Sequence, residues 1–455
     1  MNPRGLFSRA TIVAVFLITA GCATLPEGFE RLETHAFVDT EDTRLGRAFR
    51  DEAADHPGKS GFHLLAGGLD AFVARAALAR VAQCSIDAQY YLLHDDLTGK
   101  LFIRELVDAA DRGVRVRLLV DDMDLAGRDL GAAVLDSHPN MEVRLFNPFS
   151  RKTFRTFQLL TGSGSVRRRM HNKSFTVDNQ VTIVGGRNIG NEYFEANPDL
   201  AYSDLDVLGI GPVVRKVSES FDSYWNSELA YPAAVLRGEP PTTEQIEKVQ
   251  GRFAEVVTGE EATAFLSAAK DSALAQKIRQ GEVDYHWGEA EVLYDLPEKV
   301  LQGYEQTEYH LSPQLRPYFD ELENEVIIFS AYFAPGKEGA AFLKQLGDRG
   351  VTVRILTNSL ASTDVPIVHA GYAKYRKDLM RSGVELYELK KDARTERHED
   401  INSAQASLHV KSFIFDREMI FIGSLNLDPR EVVHNTEIGI MFESEPLAQE
   451  MVNWF

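Results

Sequence analysis

The sequence predicts an α/β protein made of two copies of one unit. Each copy has a mixed β-sheet flanked by helices, and the two are related by a pseudo-two-fold axis with the candidate site at the seam. Three observations carry this prediction. A strand–helix–glycine–strand pattern occurs twice, a polar motif opening on histidine occurs twice, and the spacing between pattern and motif is nearly the same in both.

The first pattern is CSIDAQYYLLHDDLTGKLFIRELVDAADRGVRVRLLV and the second is VIIFSAYFAPGKEGAAFLKQLGDRGVTVRIL. In the first, Phe102, Leu106 and Ala110 recur at helical spacing, with Ile103 and Val107 on the same side. Gly113 follows as a C-terminal cap. Val114, Val116 and Leu118 then alternate as in a half-buried strand. In the second copy Gly350 takes the capping place and Val351, Val353 and Ile355 alternate. Gly113 to His171 is 58 residues (171 − 113) and Gly350 to His409 is 59 (409 − 350), a near-constant register that marks duplication.

The units are placed at 61–227 and 312–455, with 228–311 as linker and helical insertion. Pro240-Pro241 breaks the chain there, and Thr242 or Thr243 can cap a helix over TTEQIEKVQGRFAEVV. The stretch DYHWGEAEVLYD is read as cover, with lining of the cleft as the alternative. The final MVNWF falls in a helical pattern matching FDSYWNS of the first copy, without a terminal cap signal, so a shortened C-terminus is expected.

A chain of 455 residues with net charge −19 and a sequence pI of about 5.1 is globular and acidic. That argues against a general nucleic-acid binder, which needs a basic surface. At the N-terminus Arg4 and Arg9 precede an apolar run, Thr11 to Ala20, too short to span a bilayer comfortably. This predicts a secretion signal over residues 1–22. The ending TAGC resembles a bacterial lipoprotein processing site, which would make Cys22 the lipidated residue; ordinary cleavage nearby is the alternative. By the same resemblance Ala23 provides no acidic retention signal. The expected location is therefore the bacterial cell envelope, on the periplasmic side, with the outer membrane favoured. Cys84 lies in a strand-like apolar run and is read as a small core residue.

The chemistry is concentrated in HNKSFTVD and HVKSFIFD. Residues two apart in a strand face the same way, so His171 and Lys173 share a face, as do His409 and Lys411. Histidine can act as nucleophile or proton donor near neutral pH. A neighbouring lysine repels a divalent metal but suits an anionic oxygen, so the pair reads as a phosphate site working without metal or other cofactor. Asp178 and Asp416 lie seven residues past their histidines, about 23 Å away at ~3.3 Å per extended residue. They stand where the hairpins should turn, and are read as structural members of the motif. Each histidine still needs an orienting acid. Asp206, preferred to Asp204, and Glu437 are expected to fill that role. GGRN and GSLN then place Asn188 and Asn426, each an amide donor for phosphate oxygens.

The pattern HxK, four residues, Asp, six residues, Gly-x-x-Asn, present twice, resembles the phospholipase D superfamily over roughly Gly61 to the end. NIGNEYF, NLDPRE and NTEIG resemble its cardiolipin synthase branch, of the C type. One departure is Gly186, where the motif usually has Ser. The resemblance implies that one histidine forms a phosphohistidine with a phospholipid phosphodiester while the other handles the proton, with His171 taken as nucleophile and His409 as acid/base. Lys173, Lys411, Asn188 and Asn426 would neutralise developing charge. A phosphatidyltransferase is the expectation. A hydrolase of phospholipids, less readily of nucleic acid, is the alternative, and a catalytically inactive lipid-binding lipoprotein is the third reading.

The expected partners are phospholipid substrates and the membrane surface; protein partners stay open. Arg151, Lys152 and Arg155 interleave with Phe154 and Phe157, and Arg167 to Arg169 abut the first motif. This stretch could meet anionic headgroups or be a solvated loop. Tyr91 is read as core or cleft wall.

Overall fold

The computed structural model describes residues 25–161, 164–302, 305–391 and 406–455. The expected secretion signal and Cys22 lie outside the described residues.

The first half of the chain supplies β1 (Ser60–Leu65), β2 (Ser85–Tyr90), β3 (Arg115–Asp121), β4 (Met141–Phe146), β5 (Ser174–Val177), β6 (Val181–Gly185), β7 (Ala201–Ser203), β8 (Asp206–Ile210) and β9 (Ala230–Pro232). The remainder supplies β10 (His286–Gly288), β11 (Ala290–Tyr294), β12 (Glu325–Ser330), β13 (Thr352–Asn358), β14 (Glu385–Leu389), β15 (Ala406–Leu408), β16 (Lys411–Phe415), β17 (Met419–Gly423) and β18 (Ile438–Glu443). One sheet runs β10-β1-β8-β6-β5-β2-β3-β4-β9 and the other β11-β18-β17-β16-β12-β13-β14. The seven strands from β1 to β4 in the first order answer one for one to the seven of the second.

Local chemistry explains the repeated elements. The helices Leu97–Asp111 and Gly336–Asp348 each end at a glycine in the left-handed region, with φ of +93° at Gly113 and +90° at Gly350. A side chain there would cost about 1–2 kcal/mol. The next amide turns back in both: Val114 donates to the Ala109 carbonyl and Val351 to the Leu346 carbonyl, each at 3.1 Å. The chain then enters a strand parallel to the one before the helix, β2 beside β3 and β12 beside β13.

The two sheets face one another across a shared apolar layer. Phe62, Val184 and Val207 of the first meet Ile422, Ile440 and Phe442 of the second, and the Phe62 and Phe442 rings stack at 4.2 Å. Helices cover the outer faces. With both faces buried, strands such as Val116–Val120 and Val326–Phe329 can be apolar nearly throughout.

The segment 228–311 does more than link. Thr242 forms a capping box with Gln245 at the head of the helix Thr243–Val257. The helices that follow pack on Gly68–Val81 and Leu97–Asp111. The stretch DYHWGEAEVLYD is strand rather than loop cover, and its last residue, Asp295, accepts the Glu437 amide at 2.7 Å. It adds β10 to the edge of the first sheet and β11 to the second, where β11 takes the place that β1 holds in the first. β10 has only three residues, and β11, AEVLY, ends in consecutive apolar residues, so neither shows the alternation by which strands are recognised.

Candidate active site at the seam

Each motif feeds a β-hairpin, β5–β6 and β16–β17. Both turns begin with consecutive left-handed residues: Asp178 and Asn179, each with φ of 51°, and Asp416 and Arg417, with φ of 50° and 64°. That is the type I′ geometry, tolerated by Asp and Asn. The aspartates do not reach the histidines. The Asp178 carboxylate accepts the backbone N–H groups of Gln83, Cys84 and Ser85 at 2.7–3.1 Å. That of Asp416 accepts those of Glu323, Asn324 and Glu325 at 2.7–2.9 Å. Each aspartate thus pins a hairpin tip to the start of the neighbouring strand.

The histidines stand just before β5 and β16, where the backbones of the two units zip together. The His171 amide donates to the Thr436 carbonyl at 2.9 Å, and the His409 amide to the Ser203 carbonyl at 2.7 Å. β7 and β15 pair in parallel across the same seam. The residue after each accepting carbonyl is an acid, so each acid comes to the other unit's histidine. His171 Nδ1 lies 2.9 Å from Glu437 Oε2, and His409 Nδ1 lies 2.6 Å from Asp204 Oδ2. Both histidines are at most 4% exposed.

Asp206 does not orient a histidine. It is fully buried against Arg75 at 2.8 Å and Arg187 at 3.5 Å. Strand register gives the reason: Gly185 pairs with Asp206 and Gly423 with Gly439. Asp206 therefore answers to Gly439, and Asp204, two residues earlier, answers to Glu437. Gly186 has a matching cause. A Cβ built there would stand 2.2 Å from Asp204 Oδ1, so the carboxylate under His409 occupies the space a serine would need. In the second unit Ser424 fits and accepts the Ile438 amide at 3.0 Å.

Lys173 donates to the His171 carbonyl and Lys411 to the His409 carbonyl, and Lys411 Nζ also lies 3.0 Å from His409 Nδ1. Asn188 accepts the Leu92 amide and donates to the Tyr193 hydroxyl at 2.9 Å. Asn426 accepts the Tyr332 amide and donates to Glu431 at 2.9 Å. One Nδ2 proton of each asparagine is therefore used inside the protein. Glu431, whose carboxylate is 3.6 Å from His171 Nδ1, was missed as a site residue although it lies in NLDPRE. Tyr91 packs edge-on against His171. Tyr193, Tyr202 and Tyr332 surround His409.

Burial dominates the electrostatics. It pushes His171 well below the usual imidazole range, with Lys173 and Lys411 adding to the effect. His409 is also lowered, by burial and then by Lys411, against the opposing pull of Asp204. Lys173 is brought down to about 7 by burial. Lys411 is lowered for the same reason. The two acids diverge. Burial, then Glu431, hold Glu437 well above the carboxylate range. Burial alone would also raise Asp204, but His409, Lys411 and Arg187 hold it below. His171 thus shares a proton with a carboxyl that resists ionising, whereas His409 faces a true carboxylate.

His171, Glu431 and Glu437 bring three potential metal-ligand atoms within 4.8 Å of one another, and His94, Asp96 and Glu192 form a similar group. The first group faces the charges of Lys173 and Lys411, which compete with any cation for the same carboxylates.

Two His-x-Lys hairpins meeting across a pseudo-two-fold seam define a phospholipase D-like protein. The chain belongs to that family: residues 77–225 and 316–455 match the family described as "Cardiolipin synthase, PLD-like domain". It is 42% identical to cardiolipin synthase C of Escherichia coli over 412 residues, covering 89% of this chain and 86% of that one. It is 33% identical to an uncharacterised Helicobacter pylori protein over 420 residues, 91% of this chain and 82% of the other. The crystal structure of phosphatidylserine synthase from Haemophilus influenzae shares the fold, with a TM-score of 0.58 at 13% identity, covering 90% of this chain and 89% of that one.

Proposed function

We propose that the protein is a phosphatidyltransferase of the cardiolipin synthase type, acting on phospholipid phosphodiesters through a phosphohistidine. The crossed pairs His171–Glu437 and His409–Asp204, with both lysines beside them, carry this reading. Each acid holds Nδ1, which leaves Nε2 to face the substrate. His171, kept neutral by burial, is the nucleophile. With the pair's single proton on Nδ1, Nε2 keeps a free lone pair; it bonds to phosphorus as the P–O bond to the headgroup alcohol breaks, and the Nδ1 proton passes to Glu437, whose raised pKa suits it to accept. His409, whose imidazolium is stabilised by ionised Asp204, gives that alcohol its proton. It then removes the proton of an incoming hydroxyl, which attacks phosphorus and releases His171. Lys173 and Lys411 offset charge on the non-bridging oxygens, together with the free amide protons of Asn188 and Asn426.

Lipid extracts from cells expressing wild type and His171→Ala test this reading. New cardiolipin with wild type alone supports it. New phosphatidic acid without cardiolipin favours a phospholipid hydrolase, and identical profiles sink both enzymatic readings.

We also propose that the chain works at a membrane surface. No helix among the described residues is long and apolar enough to cross a membrane. The segment leading to His171 carries Phe154, 85% exposed, and Leu160, 78% exposed, beside exposed Lys152 and Arg167. That combination suits an anionic lipid surface. A lipidated Cys22 on the periplasmic side, at the outer membrane, would provide the anchor. Cys22→Ala should leave the membrane fraction; if it stays there, the anchor is elsewhere.

A further inference from the structure

The two histidines have unequal surroundings. Among the described residues one tyrosine ring, that of Tyr91, approaches His171, at 5.0 Å between centroids. Three approach His409: Tyr193 at 5.2 Å, Tyr202 at 5.0 Å and Tyr332 at 6.1 Å. These three come from both units. Tyr202 lies on β7 of the first, and Tyr332 follows β12 of the second. One carboxylate oxygen joins them: Asp364 Oδ2 accepts the Tyr202 hydroxyl at 2.9 Å and the Tyr332 hydroxyl at 2.8 Å.

The loop bearing Asp364 is tied to the floor of the site. Ser362 donates to Asn358 Oδ1 at 3.1 Å, and Asn358 in turn accepts the Leu408 amide and donates to the Leu408 carbonyl, directly before His409. Asp364 itself is exposed. The bridge therefore spans the seam from an exposed carboxylate and holds two rings against the proton-handling histidine.

The covalent intermediate makes this placement consequential. Whether the acceptor is water or a lipid alcohol, the P–N bond to His171 breaks, a P–O bond forms, and the acceptor's proton goes to His409. The chemistry of this step is the same for both acceptors, so a preference for alcohol has to come from access to His409. Apolar ring faces around that imidazole exclude stray water and leave the position to a hydroxyl delivered on a lipid.

We propose that the Tyr202–Asp364–Tyr332 bridge sets the partition of the phosphohistidine between alcohol and water, with Asp364 acting as a positioning residue through the two tyrosines. The proposal rests on the transferase reading above.

The test measures the ratio of phosphatidic acid to cardiolipin formed by the full chain. The substrate is mixed micelles of phosphatidylglycerol and phosphatidylethanolamine, so that the donor headgroup is not presupposed. Asp364→Ala, which removes the acceptor shared by both hydroxyls, should raise the ratio several-fold. Tyr202→Phe, which removes one hydroxyl but keeps the ring, should raise it less. Asp364→Asn keeps a carbonyl oxygen for both hydroxyls and should stay near wild type. A purely structural role would lower total turnover without moving the ratio. If wild type makes cardiolipin while Asp364→Ala and Tyr202→Phe keep its ratio, the bridge proposal is overturned and the transferase reading stands. The bridge proposal is also overturned if Asp364→Asn shifts the ratio as far as Asp364→Ala. Should Asp364→Ala fail to fold, Tyr202→Phe against wild type decides. Wild type that makes phosphatidic acid and no cardiolipin overturns the transferase reading, and the bridge proposal with it.

Discussion

Asp204, in the first unit, holds Nδ1 of His409, in the second, at 2.6 Å, while Asp206 two residues on holds no histidine and is locked to Arg75. The two carboxylates are neighbours in sequence, are both buried, and serve different ends.

Their variants should separate cleanly. Asp204→Asn should lower kcat by roughly 10²–10⁴-fold, the range expected when a buried acid no longer fixes an imidazole. Because Asp204 raises the His409 pKa, its loss should also move the basic limb of the kcat profile to lower pH. Asp206→Asn removes the charge facing Arg75 and Arg187, and should cost about 3–5 kcal/mol of stability. Kinetics over pH for the first and denaturant unfolding for the second decide the matter; equal kinetic losses at unchanged stability would contradict it.

Gly186→Ser should behave as a weaker copy of Asp204→Asn. Its Cβ would stand 2.2 Å from Asp204 Oδ1, so the carboxylate must leave its place under His409. The expected result is a fall in kcat with little change in KM, together with the same shift of the basic limb. A variant with unaltered pH dependence would show that the carboxylate adapts.

Asp178→Ala and Asp416→Ala each strand three backbone N–H groups. Alanine also adopts the left-handed turn less readily than Asp or Asn. Each should lose about 1–3 kcal/mol, and Asp178→Asn less, since an amide oxygen still accepts and Asn tolerates positive φ. Thermal unfolding measures this. Activity per folded molecule should survive; a chemical step slowed in the folded variant would put the aspartates in the reaction.

Lys173, held down to about 7 by burial, loses its charge as pH rises through that value. The ability to offset phosphate charge falls with it, so kcat/KM should decline above pH 7. Lys173→Arg stays charged at every accessible pH. Its rate should be lower because the longer group fits poorly, and the part of the decline centred near pH 7 should be absent, leaving the limb set by His409. A wild-type profile flat to pH 9 would argue against the assignment.

Much of the site was legible because it is local. His-x-Lys before an apolar run, then Asp at the turn, uses contacts between near neighbours, and the helix stops at Gly113 and Gly350 need only a positive φ. The preference for Asp206 failed because loops of different length precede β8 and β18. Two aspartates of DLD stand beside the strand, no count along the chain says which answers to Glu437, and only the pairing of Gly185 with Asp206 and Gly423 with Gly439 settles it. Glu431 was marked only by its place in NLDPRE, and Asp364 by no local pattern.

By itself, the sequence determined the duplication, the two hairpins and the residue types each presents, since strand alternation, helical spacing and turn chemistry act within a few residues. The tertiary structure alone decided which acid serves which histidine. Those contacts join residues 266 and 205 positions apart, and they cross between units. They follow from how two sheets pack face to face, and no spacing along the chain records that arrangement.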